Sequence, residues 1–532
     1  MDNYDIIIFG AGIAGLTVAH QLALNSPQLK IAIVEKEDII GGMARTSRYS
    51  DNLPTEHSWR GYAPFYYNTY DLMKQIPTNN NKTVYDNLKS GINFLSTENN
   101  INNNKNSTIS DYIILIYWIL YYFFSGNLRS EDNKAISFAN TVSNISTNSK
   151  NKYIEFIGPG IGLDTYSASL FHIGKFIEMS YLESEKSWNF MNQPTSEGWF
   201  DPWYKLLKNK VNFFLSSELQ ELNFDNNNVV TAKILTNNGI RTLTGKNYVI
   251  ALNPYAVADL YKNNKLGSDP ELDKFKKITY GEPHIQISFR LAFDQKINIK
   301  DKDAFIFPNS NLNITMYPQD TFWEKDIDLG NNIKSLWSGT ACVTYKISEL
   351  YNNKRCDELT INEFLEEVIH EISNSKEFDQ YLINNNNKPF NKLTITKKEV
   401  WYEWEFNNNR LESRNKKWVN TLNNNIRPLY TTHYNNLFIA GSHCETGLSI
   451  WSMESATESG NRCVIEINKK LGLENKFKLH THTRPFFPLY FLDDILYKLY
   501  LPNLFNVTIF LIIIGFGYLI YKLVNSNKEL KY

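Results

Sequence analysis

The chain has 532 residues, a formal net charge of −1 at pH 7, 42% hydrophobic and 14% aromatic residues. That length supports two or three domains around a large core, and the near-neutral balance excludes a basic nucleic-acid-binding surface. The four cysteines (Cys342, Cys356, Cys444, Cys463) have neither metal nor disulfide spacing, which fits a reducing, cytosol-facing compartment.

The first apolar run, Ile6 to Phe9, leads into Gly10, Gly12 and Gly15 and then into helix-forming residues. A second apolar run, Ile31 to Val34, ends in Glu35. Strand, glycine-rich turn, helix and acid at this spacing predict a βαβ unit that holds a dinucleotide. Gly10 serves the tight turn, Gly12 lets backbone approach a pyrophosphate, and Gly15 lets the helix pack on the strand. The helix start at Ile13 and Ala14 presents free N–H groups and the positive end of the dipole to phosphates. Glu35 is placed to accept from ribose hydroxyls and disfavours a 2′-phosphate, so NADP is not expected.

Beyond the acid comes Lys36, a short spacer, then Gly41-Gly42-Met43-Ala44-Arg45-Thr46. On these residues the chain resembles the FAD-dependent amine oxidase and phytoene desaturase superfamily, whose members run acid, spacer, Gly-Gly, basic residue, then Thr or Ser. The resemblance implies FAD, with Gly41 and Gly42 letting backbone reach its pyrophosphate and Lys36, Gly42, Met43 and Ala44 among its contacts. Met43 stands where Arg or Lys is usual, so Arg45 either supplies that charge or is a solvated surface residue.

Further along, Thr55 to Tyr66 is the best candidate for a wall facing the flavin. Desaturase-like members run Glu-x-Gly-x-His-x-Phe there, whereas Glu56 and His57 are adjacent here and the glycine is missing. Glu56 or His57 would polarise a substrate or stabilise flavin charge, with Arg60 pairing Glu56; a purely structural His57 is the alternative. Asn-rich stretches at 79–82, 98–106 and 384–387 read as solvated loops. Tyr112 to Phe124 is apolar on every face yet too short to span a membrane. It is either a core helix or one that dips into a membrane or lines a substrate tunnel. Asn192 to Trp203 resembles the isoprenoid desaturase and squalene-modifying members.

Val211 to Leu219 returns to the cofactor domain, where the resemblance puts the backbone of Leu219 at the adenine. Asn228 to Leu235 and Leu243 to Pro254 complete a small β meander, and Pro283 to Phe293 alternates with period two as a strand of a substrate-domain sheet. Trp401, Tyr402 and Trp404 read as strand packing or as one ring of an aromatic cage. Near the end, an apolar strand runs into Gly441 and Ser442, and Ser452-Met453-Glu454 opens a helix that ends at Leu471-Gly472. The resemblance implies that this second helix N-terminus closes over the flavin ring and ribityl chain, with Gly441, Ser442, Ser452, Met453 and Glu454 as contacts. Ser442 replaces the usual Asp, and the Ser-Gly-Tyr step that completes an amine oxidase cage is absent.

Arg484 to Pro502 is aromatic-rich and either lies in a membrane interface or packs on the body. Leu504 to Val524 carries no charge until Lys522, and about 21 residues at ~1.5 Å each cover roughly 30 Å, the thickness of a hydrocarbon core. With no signal peptide at the N-terminus, a single-pass tail anchor with a cytosolic body is expected.

The expected fold is α/β: a Rossmann-like FAD-binding domain (1–60, 200–258, 430–472), a discontinuous α+β substrate domain (61–199, 259–429), a membrane-proximal segment (473–503) and a transmembrane helix (504–524). The expected function is desaturation or dehydrogenation of a lipophilic, isoprenoid-like substrate by hydride transfer to FAD. A flavin-dependent amine oxidase and a non-enzymatic prenyl-lipid carrier are the alternatives.

Overall fold

A computed structural model describes residues 3–529, apart from positions 59, 80, 98–107, 147–148, 151–166, 184, 279–285, 325, 420, 423–424, 483 and 485–486. The Asn-rich stretch at 98–106 and the first residues of the predicted 283–293 strand lie outside the described residues.

The apolar runs at the N-terminus form two parallel neighbours, Asn3–Phe9 and Ile31–Val34, bridged by the helix Ile13–Asn25. Val211–Phe214 adds outside Ile31–Val34, and Gly239–Ile250 adds on the other side of Asn3–Phe9, both parallel. Near-continuous burial of these runs is what a sheet covered on both faces requires. Gly239–Ile250 is long enough to serve two ladders. Its last residues pair Asn3–Phe9 (Phe9 opposite Ile250), while its first residues form a hairpin with Asn228–Thr236 (Thr236 opposite Gly239), which in turn pairs Glu218–Asp225. Leu437–Ile439 closes the seven-stranded sheet from the far end of the chain, parallel to Gly239–Ile250.

A second sheet of six strands runs Lys397–Val400, Ile287–Phe293, Ser335–Ala341, Ile314–Pro318, Asp303–Phe307, Asn93–Ser96. It is antiparallel except where Asp303–Phe307 meets Asn93–Ser96. The helices Ile361–Ser373 and Lys376–Asn384 cover one face, and Phe378 is set edge-on to Phe305 at 4.8 Å. Trp401 and Trp404 are buried in this core, so packing is the reading that holds for them.

The helix Ile109–Phe124 begins with a capping box in which the Thr108 hydroxyl and the Asp111 carboxylate satisfy each other's backbone N–H groups. Only Asp111 and Tyr122 on it are buried, while Ile109, Tyr112, Ile113 and Ile116 are exposed. The core-helix alternative therefore fails. Its inner edge packs on the helix Leu170–Leu182, where Gly174 leaves room for the Tyr122 ring. Its outer end meets the C-terminal helix Leu504–Glu529, with Tyr117 and Phe505 rings 5.8 Å apart and the Tyr117 hydroxyl donating to Asn506. Within that last helix Leu504–Leu523 is long and apolar enough to cross a membrane, and none of it is buried in the protein.

Candidate functional site

The site is the cleft where the glycine turn, the Gly41-Gly42 loop and the start of the Met453–Leu471 helix converge beside the second sheet, a cavity of about 940 Å³. Gly10 has φ +105°, and a Cβ there would lie 2.4 Å from the Ala251 carbonyl oxygen. A Cβ on Gly15 would lie 2.0 Å from the Gly10 oxygen. Both glycines are demanded by the protein itself. Gly12 is different: its backbone is extended, and a Cβ would meet only Gly42 Cα at 4.0 Å. No described residue fills that space, which belongs to the cavity.

Helix Ile13–Asn25 starts from Gly12 with no side-chain cap, so its first N–H groups face the cleft beside Ile13 and Ala14. The Glu35 carboxylate is held by the N–H of Ala11 (2.6 Å) and of Glu37 (3.1 Å) and lines the cavity, with burial pushing its pKa up. Lys36, Leu219 and Glu218 line the same end. Arg45 lines the cavity too, but it is no solvated surface residue: it is 2% exposed, donates to the Gly42 carbonyl and Tyr402 hydroxyl and is ion-paired to Glu403. Burial opposes its charge, and Glu403, Tyr402 and Glu37 outweigh that.

At the other end Gly441, Ser442, Ser452 and Met453 line the wall with Trp451. The Gly441 N–H donates to Ser459, and the Ser452 hydroxyl caps the helix by accepting from the Ser455 N–H. A dinucleotide fits this cradle: an open glycine, a free helix N-terminus, a fixed acid at one end and a second helix start at the other.

Two predicted residues turn away from the cavity. The Glu454 carboxylate is wholly buried and accepts from the Asn68 and Thr69 N–H groups at the start of the helix Tyr67–Met73. A carboxylate so engaged ties two helices together and is corrected from cofactor contact to clasp. Glu56 accepts from Thr46, Thr195 and Gln319 and lies 3.4 Å from Arg60, behind the cavity wall. It positions Arg60 and does not reach the cleft. Gly15 likewise acts through packing alone.

His57 and Arg60 do line the cavity. Arg60 donates to the Met43 carbonyl at 2.7 Å. His57 is 3% exposed, set edge-on to Trp401, and its Nε2 has no hydrogen-bond partner among the described residues. Burial, then the charges of Lys417 and Arg60, holds its pKa well below the usual range, so the ring is neutral. Lys417 is the residue sequence reading missed. It lies between Lys416 and Trp418 with no motif around it, yet it reaches the cavity, donates to Gln286 and sits 4.3 Å over the Trp451 ring. Burial lowers its pKa to about 7. Phe65, Phe94, Phe176, Trp188, Ile306 and Tyr317 supply the apolar wall beside it.

A sequence-family model for an NAD(P)-binding Rossmann-like domain matches residues 8–76. The mitochondrial L-2-hydroxyglutarate dehydrogenase of Caenorhabditis elegans is 49% identical over 37 residues, which span 7% of this chain and only 8% of that relative. Wild-type putrescine oxidase bound to putrescine superposes with a TM-score of 0.59 at 13% identity, covering 88% of this chain and 99% of that one. The chain shares the fold of this solved oxidase. Cyclohexylamine oxidase from Brevibacterium oxydans IH-35A shares the fold at a TM-score of 0.59 and 12% identity, with 88% and 99% coverage. A putative protoporphyrinogen oxidase from Exiguobacterium sp. 255-15 does so at 0.53 and 14%, with the same coverage. The amine oxidase fold thus extends over the body of the chain, and Cys444, inside its second glycine segment, is a buried thiol whose pKa burial pushes up to about 12.

Proposed function

We propose that this chain is an FAD-dependent oxidoreductase that dehydrogenates an apolar, isoprenoid-like substrate at the face of the cavity bounded by His57, Arg60 and Lys417. The observation that carries it is the division of the cleft. One end carries the dinucleotide features around Gly12 and Glu35, and the other an apolar wall that no described carboxylate lines.

FAD when bound supplies the two-electron acceptor, and the protein binds, orients and shields. Glu35 would hold the ribose and the N–H groups at Ile13 and Ala14 would hold the pyrophosphate. Arg45, locked by Glu403, holds the Gly42 carbonyl and with it the second glycine loop. Ser452 caps the helix whose start would hold the flavin end. Phe65, Trp188 and Tyr317 line the cavity and would exclude water from a substrate C–H bond held there. We place the enzyme on a membrane through Leu504–Leu523, with its body in the reducing compartment that four free, buried cysteines suit.

The amine oxidase reading is the second one, favoured by the fold shared with putrescine oxidase and cyclohexylamine oxidase. Absorption spectra of the detergent-solubilised full chain, before and after acid precipitation, test the proposal. Oxidised-flavin bands that bleach when an anaerobic polyisoprenoid is added support it. Bleaching by amines alone, with peroxide released in air, overturns it in favour of the second reading. A colourless protein that binds prenyl lipids makes it a carrier.

A further inference from the structure

The helix Ile109–Phe124 carries no charged residue after Asp111. Ile109, Tyr112, Ile113 and Ile116 are exposed, and their spacing puts them on one face. The other side is taken by the body: Tyr122 packs against Gly174, and Leu115 and Trp118 cover the same small core. A helix half-covered by its own protein normally turns polar residues to water. This one turns isoleucines outward. On the helix Phe487–Lys498, Leu492 and Ile495 are exposed in the same way, while Tyr490 and Asp493 are buried behind them.

What covers this face follows from where it lies. The apolar C-terminal helix starts on the same elements and is fixed there. The Leu504 N–H donates to Asp493 at 2.8 Å. The Phe505 N–H donates to Asn503 at 2.8 Å, and Asn503 is itself buried and donates to Ser125 at 3.0 Å. The Phe505 ring lies 5.8 Å from Tyr117 and 5.7 Å from Phe124, and Asn506 accepts from the Tyr117 hydroxyl at 3.0 Å. The residues leading into the span are held as well, because Arg129 donates to the Leu501 carbonyl. A span that enters lipid from Leu504 therefore brings Tyr117, Phe124 and the helix that carries them to the membrane surface.

We infer that a phospholipid bilayer covers this face: the outward sides of Ile109–Phe124 and Phe487–Lys498 lie in its interface beside the point where Leu504–Leu523 enters, so the body is docked on the membrane and not hung from it on a tether. This deepens the membrane placement proposed above and does not depend on the chemistry of the cavity. The helix Leu170–Leu182, which packs behind Ile109–Phe124, also lends Phe176 and Ser180 to the cavity, so docking sets the cavity one helix layer from lipid.

The test uses the full chain reconstituted in phosphatidylcholine vesicles. The four native cysteines are buried, so a single cysteine introduced at the surface takes a nitroxide label selectively. The labelled variants are Ile113→Cys, Ile116→Cys and Leu492→Cys on the docked face, Ile513→Cys in the span, and Ile240→Cys, an exposed apolar position on the first sheet. All replace exposed side chains, so the fold is kept. Electron-spin relaxation by oxygen, which partitions into lipid, is compared with relaxation by a water-soluble nickel chelate. An interfacial helix sits ~5–10 Å into the headgroup and acyl boundary, so the oxygen-to-nickel ratio at positions 113, 116 and 492 is expected about threefold or more above that at 240. A ratio at 113 and 116 no higher than at 240, with position 513 in lipid, overturns the inference. Low access to both reagents at 113 and 116 also overturns it and gives the face to a second copy or another protein. A label at 513 that lies in water refutes the span, and the docked face falls with it.

Discussion

At the scale of single residues, the glycines around the first turn do different work. Gly15 is forced by the Gly10 oxygen 2.0 Å from where its Cβ would be, so Gly15→Val is expected to cost more than ~3 kcal/mol or to prevent folding. Gly12 has no such neighbour, and its extended backbone suits any residue. Gly12→Val is expected to melt within about 1 kcal/mol of the parent yet to carry no flavin. Urea melts and the ratio of flavin to protein absorbance check both; a Gly12→Val chain with full flavin would remove the cradle from the argument. Both glycines are visible in the sequence as one motif, but the division of labour is not. It depends on the distance to Ala251 and Gly10 in one case and on empty space in the other.

At the scale of elements, the strap between the last core helix and the membrane segment is held by His482. Its ring is buried, stacked on Tyr67, with Nε2 3.5 Å from Glu454 and Nδ1 3.5 Å from Glu458, and the Phe65 carbonyl 2.9 Å from Nε2. Burial opposes its proton, but Glu458 and Glu454 outweigh that and raise the pKa above the usual value. A raised histidine pKa means the folded chain binds the proton more tightly. Its contribution to stability is therefore full below about pH 6.5 and is lost as pH rises through the folded value. His482→Gln is expected to flatten that decline. Melting temperatures of both chains between pH 5.5 and 8.5 measure it, and parallel curves would show that the clasp carries no proton. Met453-Glu454 resembles a cofactor motif in sequence. The structure gives Glu454 to this clasp because the start of the helix Tyr67–Met73 arrives beside it, a contact between residues 385 positions apart.

At the scale of the whole molecule, one set of neighbouring elements carries a concentration of exposed apolar side chains. Ile113 and Ile116 on the helix Ile109–Phe124, Phe491 and Leu499 in and just after the helix Phe487–Lys498, and the span Leu504–Leu523 all face outward. These elements are tied together: Asp493 accepts from the Gly126 and Leu504 N–H groups and pairs with Arg129. A lipid phase is the solvent such a surface suits. Arg substituted for Ile513 and Phe516 is expected to cost roughly 2.5–3.5 kcal/mol each for insertion. The chain should then become extractable from membranes at alkaline pH, as fractionation would measure. An unchanged membrane fraction would mean that the span does not insert.

The sequence by itself determined the elements whose signals are local. The glycine turn, the acid after the second strand, the helix opened by Ser452 and the uncharged C-terminal run each follow from a few adjacent residues and from fixed helix or strand periods. Only the tertiary structure decided which polar groups face the cavity. Glu56 and Glu454 look like site residues in sequence and are drawn off by Thr195, Gln319, Asn68 and Thr69, whereas Lys417 has no motif and reaches the site through Gln286, 131 residues away in the chain. The physical reason is that a buried charge goes where partners can offset its desolvation, and those partners come from distant segments that only the folded chain brings together.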